Sequence, residues 1–161
     1  MVKKISFIFL IILLIFNLGC TESLKEQLLD YVNIALPPAI TLENEALEKY
    51  SIAFKEYSDD TNKLYLSLEK NIIPKYEEFV GALNEIETKS PEITNIHQLY
   101  IKGANKQLEA LIILKNGYKE KDNKKILAAD KLLEESRKYM KEFKDAIVEL
   151  AEEYNIDYKI Q

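Results

Sequence analysis

Nine positions near the C-terminal end constrain the fold more than any others. Ile126, Ala129, Leu133, Ser136, Met140, Phe143, Ile147, Leu150 and Tyr154 follow one another in alternating steps of three and four residues without a slip. Steps of three and four place every one of these side chains on a single stripe of an α-helix, in the heptad pattern of helices that pack at shallow angles. A chain carrying such a stripe needs partner helices to cover it.

Two further stretches supply those partners. Ile93, Ile96, Tyr100, Ala104, Leu108, Leu111 and Tyr118 form one stripe. Its helix opens at Ser90-Pro91-Glu92, where serine caps the helix, proline takes the first position and an acid sits in the first turn. From Leu42 the positions Ala46, Tyr50, Ala53, Tyr57, Thr61, Leu64, Leu68, Ile72, Tyr76, Phe79, Leu83 and Ile86 keep the same rhythm. This spacing predicts a long helix over 42–87, kinked at Pro74; a break within Ser58-Asp59-Asp60-Thr61-Asn62 is the alternative. Ser23-Leu24-Lys25-Glu26 has the form of a capping box for a short helix that Pro37-Pro38 would close near Leu36.

Period-two alternation is absent, and the connections at 88–90 and 120–123 are short enough to force neighbouring helices antiparallel. The expected fold is all-α: an elongated up-and-down antiparallel bundle of three long helices plus a short N-terminal one. Ser136, inside the last stripe, is expected to bond back to its own helix. Gly103 is expected to admit a close helix approach, and Gly117 to loosen a helix end. Glu45/Lys49, Asp59/Lys63, Glu120/Lys124 and Glu134/Lys138 have the spacing of ion pairs along one helix.

The first twenty residues carry a different message. Met1-Val2-Lys3-Lys4 precedes an apolar run from Ile5 to Phe16, followed by Asn17-Leu18-Gly19-Cys20. A basic head, an apolar stretch and a small residue before a processing point make a secretory signal peptide. A spanning helix needs about 20 apolar residues, and Ile5 to Leu18 is too short for one. The arrangement resembles the lipobox of bacterial lipoproteins, with Asn17 standing where leucine is usual. The resemblance implies cleavage after Gly19 and lipidation of Cys20, the only cysteine. Two or more acyl chains would hold the protein stably on the outer face of the cell membrane, or at the outer membrane of a two-membraned cell. The chain then divides into a signal peptide (1–19), a lipidated tether with the short helix (20–41) and the bundle domain (42–161). A lone cysteine offers no disulfide, so the domain must hold by core burial.

Charge excludes one class of partner. The whole chain has net charge −5, and the part from Cys20 onward carries 20 basic against 27 acidic residues, or −7. Nucleic acid calls for a basic face. The expected partners are the membrane, through the lipid, and another envelope or extracellular protein.

Catalytic and metal constellations are sparse. His97 is the only histidine; at the margin of its stripe it reads as a packed residue. The Glu-x-x-His pairs of di-iron bundles are missing, because Thr94 stands three before His97. Asp59, Asp60 and Asn62 lack the glycine turn of a calcium loop. The reading is a membrane-anchored surface lipoprotein acting as a non-enzymatic protein-interaction module without a cofactor. Ten tyrosines are the one excess, and Tyr76, His97, Tyr100 and Tyr118 are the candidates for ligand or partner contact. Alternatives to a protein-interaction module are a small-ligand binder with an interhelical Tyr-lined pocket, an immunity or exclusion lipoprotein, and, last, an enzyme.

The segment Ile73-Pro74-Lys75-Tyr76-Glu77-Glu78-Phe79, the Ser90-Pro91 break, and His97 with Tyr100 after it resemble the YiiG-like helical domains of small bacterial lipoproteins. The resemblance implies a helical fold and an envelope location, and transfers no functional residue.

Overall fold

A computed structural model describes residues 22–156. The presumed signal peptide, Gly19 and Cys20 lie outside the described residues. So does the C-terminal end from 157.

Six α-helices make up the described chain: α1 (Leu24–Asp30), α2 (Leu36–Tyr57), α3 (Thr61–Ser67), α4 (Ile73–Asn84), α5 (Pro91–Glu120) and α6 (Asn123–Glu153). A π-turn at Tyr31–Ala35 joins α1 to α2, and another at Leu68–Ile72 joins α3 to α4. The result is four continuous rods in one helical bundle, with no strand among the described residues.

The predicted starts hold. Ser23 and Glu26 form a reciprocal capping box at α1. Ser90 accepts a hydrogen bond from the Ile93 amide at the head of α5, and Asp122 accepts one from the Lys124 amide at the head of α6. Lys121 between them takes a left-handed conformation, φ 53°, which turns the chain back on itself.

Pro37-Pro38 behaves differently from expectation, whereas the helix continues through Pro74 and opens at Pro91 as expected. Pro37-Pro38 does not close a short N-terminal helix; the first rod runs from Leu24 to Tyr57. A proline ring in a helix collides with the carbonyl four residues back. For Pro37 and Pro38 those carbonyls belong to Asn33 and Ile34, and both lie inside the first π-turn. The wider turn, in which the Leu36 amide bonds to the Tyr31 carbonyl five residues back, moves them aside. Pro74 meets the same solution, with Lys70 inside the second π-turn and the Ile73 amide bonded to the Leu68 carbonyl. The long helix expected over 42–87 is instead broken at Ser58–Asp60. Asp60 caps the second rod by accepting from the Lys63 amide. Three long helices with a short fourth thus become four rods.

The core is a single cluster running along all four rods. Tyr76, Phe79, Leu28, Leu68, Ile72, Leu83 and Ile93 are its most enclosed large apolar side chains. Contacts along the third and fourth rods run in opposite order: Tyr100 meets Phe143, Gly103 meets Met140, and Gly117 meets Ile126. The first and third rods run in the same order, pairing Tyr31 with His97, Glu43 with Tyr100 and Phe54 with Tyr118.

Small residues bring α5 and α6 together. Ser136 does not bond to its own helix; its hydroxyl donates to the Gly103 carbonyl of α5 at 2.8 Å. Gly117 marks close packing, not a loose end. A Cβ there would lie 2.9 Å from Ile126 Cγ1 and 3.2 Å from the Ile126 amide nitrogen. The ion pairs also differ from expectation: Glu45 pairs with Lys75, Lys63 with Asp60, Glu120 with Lys125 and Glu135 with Lys106.

The glycines separate packing from propensity. Gly117→Ala is expected to lower unfolding free energy by about 1–3 kcal/mol through overpacking. Gly81→Ala, with open space around the added methyl, is expected to raise it by about 0.5–1 kcal/mol. Urea titration of both variants reads the two signs.

Candidate functional site

Between the first and fourth rods lies an open groove of about 330 Å³. From α2 it receives Leu36, Ile40, Glu43, Asn44 and Leu47, and from α6 Met140, Phe143, Lys144 and Ile147, with Tyr100 of α5 beneath them. On α2 the steps 36, 40, 43, 47 are a helical stripe in which one apolar position is taken by an acid. Continuity of the helix through Pro37-Pro38 is what presents that stripe to α6.

Glu43 and Tyr100 form the polar centre. The Tyr100 hydroxyl donates to Glu43 Oε2 at 2.5 Å. Burial raises the Glu43 carboxyl above its ordinary range, against the opposing effects of the Tyr100 hydrogen bond and the Lys144 ammonium. Burial, the Glu43 charge and that hydrogen bond raise the Tyr100 phenol well above its usual value. The Tyr100 ring stacks on Phe143 at 4.6 Å and continues through Phe79 to Tyr76. Glu43 and Lys144 both face the groove, yet neither is in an ion pair among the described residues.

Of the four candidates from the sequence, Tyr100 lies in the groove and Tyr76 stands behind it. Tyr76 is fully enclosed, its hydroxyl finds no hydrogen-bond partner, and burial raises its phenol strongly. It borders a separate cavity of about 70 Å³ with Ala46, Gln107 and Leu111 among its walls.

His97 is not at the margin of its stripe. Only 3% exposed, it sits in the core. Nε2 donates to the Leu83 carbonyl at 3.1 Å and Nδ1 shares a 2.8 Å hydrogen bond with the Tyr31 hydroxyl, so the ring ties the first rod to the second and third, and burial favours its neutral form. Tyr118 lies 18 residues along α5 from Tyr100, about 27 Å away at the helical rise. It belongs to a second aromatic cluster with Phe54 and Tyr50, where burial pushes the Tyr50 phenol up to about 12. The groove is therefore walled by aliphatic, methionine and phenylalanine side chains over a single tyrosine. Glu43 and Lys144 were not among the residues the sequence singled out. The acid at an in-phase position of α2 was the available signal, hidden once Pro37-Pro38 is read as a helix end.

No group of three or more potential metal ligands occurs among the described residues. No described helix is long and apolar enough to cross a membrane. Compared with family models, curated proteins and solved structures, the chain matches none.

The two tyrosines should respond oppositely to loss of the hydroxyl. Tyr100→Phe strips a desolvated carboxyl of its donor and is expected to cost about 1–3 kcal/mol. Tyr76→Phe removes an unpartnered buried hydroxyl and is expected to be neutral or stabilising by up to about 1 kcal/mol. Chemical denaturation of the two variants checks the contrast.

The imidazole gives a pH dependence. Burial holds His97 below its ordinary value, partly offset by the Leu83 carbonyl. The unfolded chain therefore takes up this proton at a higher pH than the folded one. Stability from this group is complete above about pH 6.5 and falls as pH drops from there towards the lower folded value. Glu43 works in the opposite sense: its raised folded value makes its contribution greatest at low pH, and that contribution is lost as pH rises through the carboxylate range. The melting temperature is expected to fall between about pH 7.5 and about pH 5.5, with a smaller fall in His97→Gln.

Proposed function

We propose that the protein is a bacterial envelope lipoprotein of the small helical, YiiG-like kind. It is cleaved after Gly19, anchored through a lipid on Cys20, and binds a small ligand in the groove between α2 and α6 without transforming it. The rods form an elongated up-and-down bundle held at the outer face of the membrane. The observation that carries the binding reading is the groove, whose apolar walls also carry three polar residues, the half-buried Glu43 and the exposed Asn44 and Lys144. That combination, at the lower end of the roughly 300–1,000 Å³ range of ligand sites, is what small-molecule recognition needs. A non-enzymatic role is supported by His97, which commits both ring nitrogens to structural hydrogen bonds. The anchor is supported by the run from Lys3 to Cys20.

A second reading, docking of an envelope or extracellular protein, is favoured by the groove's rim. Ile40 and Leu47 are each 36% exposed there. In-cell cross-linking separates the two, since a discrete co-purifying protein lost on Leu47→Asp supports the docking reading.

Anchoring has its own test. Cys20→Ala is expected to abolish incorporation of labelled palmitate and to move the protein out of the lipid-modified membrane pool. An uncleaved variant that labels no less than the parent would establish a different mode of attachment.

A further inference from the structure

The charged groups of the groove specify more than an apolar guest. Glu43 on α2 and Lys144 on α6 stand on opposite walls, close enough for the ammonium to act on the carboxyl, without forming an ion pair. Apolar surface flanks them: Leu36, Ile40 and Ile147 on one side, Leu47 and Met140 on the other. A neutral apolar guest would lie against the half-buried Glu43 carboxyl without offering it a counter-charge, while the exposed Lys144 ammonium would keep its water. A purely anionic guest would meet Lys144 and crowd Glu43, and a purely cationic one would do the reverse. A guest carrying both signs on neighbouring atoms satisfies the two walls together, while its apolar body lies on the flanking side chains.

We propose that the groove is a binding site for a small zwitterion with an apolar side chain, of the class of apolar α-amino acids, whose ammonium group meets Glu43 and whose carboxylate meets Lys144. The inference rests on the reading of the groove as a ligand site. The size of the groove suits a compact guest and not a long-chain lipid. The Asn44 amide, at the same level on α2, can both donate and accept, and so supports either end of the zwitterion. Tyr100, whose hydroxyl already donates to Glu43 Oε2, holds one carboxyl oxygen and leaves the other for the ligand's ammonium. Tyr100 is a positioning residue here, acting through Glu43.

The chain provides its own reporter. It has two methionines, Met1 and Met140, and Met140 lines the groove. With ¹³C-methyl methionine label in the processed, lipid-anchored chain held in nanodiscs, where Met140 is the one methionine left, its methyl signal follows occupancy directly. L-Phenylalanine is expected to shift it saturably. N-Acetyl-L-phenylalanine, which lacks the ammonium, is expected to bind at least about tenfold more weakly, and L-phenylalaninamide, which lacks the carboxylate, about two- to fivefold more weakly, because Lys144 is exposed. Glu43→Gln should erase the discrimination against the acetylated compound, and Lys144→Met the discrimination against the amide. Circular dichroism identical to the parent's shows that each variant is folded. Benzyl alcohol serves as the uncharged probe. If it shifts Met140 as strongly as phenylalanine, or if the blocked derivatives bind as well, the groove remains a ligand site and the zwitterion inference is overturned. If phenylalanine and benzyl alcohol both leave Met140 unmoved, the ligand reading falls with it.

Discussion

A proline in mid-helix requires the carbonyl four residues before it to move, and this requirement shapes half of the structure. Both rods that carry prolines in mid-helix meet it with a five-residue π-turn placed over the offending carbonyls. The prolines thereby cease to be ends. Because the first rod passes through Pro37-Pro38, α2 continues to Tyr57 and lays Glu43 against Tyr100. Because the second rod passes through Pro74, Tyr76 and Phe79 reach the centre of the core. The extra residue in each turn also rotates the helix beyond it. Tyr31 and Leu36, five apart, are both buried, and an unbroken α-helix would leave them about 140° apart around its axis.

That rotation explains where the sequence was legible and where it misled. The stripes of α5 and α6 are uninterrupted, and Ser90 and Asp122 occupy standard cap positions, so these helices follow from spacing alone. Leu64, Leu68, Ile72 and Tyr76 also looked regular, but three successive steps of four drift by about 120° in an ideal helix. All four are nevertheless buried. The run of fours alone did not reveal the π-turn, because Ile96, Tyr100, Ala104 and Leu108 repeat it in the unbroken α5. At Pro37-Pro38 the local rule that proline ends a helix was outweighed by the burial gained on both sides, at Leu28 and Tyr31 before it and Leu36 and Ala39 after it. Tyr100 was legible as a candidate residue and lies in the groove, whereas Glu43 and Lys144 needed two distant rods to be brought together.

His97 shows how one polar residue can be structural without being idle. Its two ring nitrogens have different partners on different rods, so the ring fixes the angle at which the first rod enters the bundle. Glu22 and Lys89 add an exposed contact at the same end, screened by solvent and of small effect. The lock is therefore the buried pair. Its position one turn before Tyr100 links the entry of the first rod to the register of Glu43, seven residues after Leu36.

The groove itself follows from an imbalance between two interfaces. On one side of α6 stand small partners: Gly103 under Met140, Gly117 against Ile126, and Ser136 bonded to the Gly103 carbonyl. These let α6 approach α5 closely. Nothing equivalent draws α6 towards α2, whose facing positions are Leu36, Ile40, Glu43 and Leu47. A leucine at 43 would continue the stripe and add apolar burial of the kind that closes the rest of the core. An acid at that position does the opposite, because a desolvated carboxyl has to be answered by Tyr100 and Lys144 instead of by packing. Departures from a consistent apolar pattern mark the places where a fold gives up stability for something else. In this bundle the departure coincides with a groove of about 330 Å³, and the two together single out the space between α2 and α6.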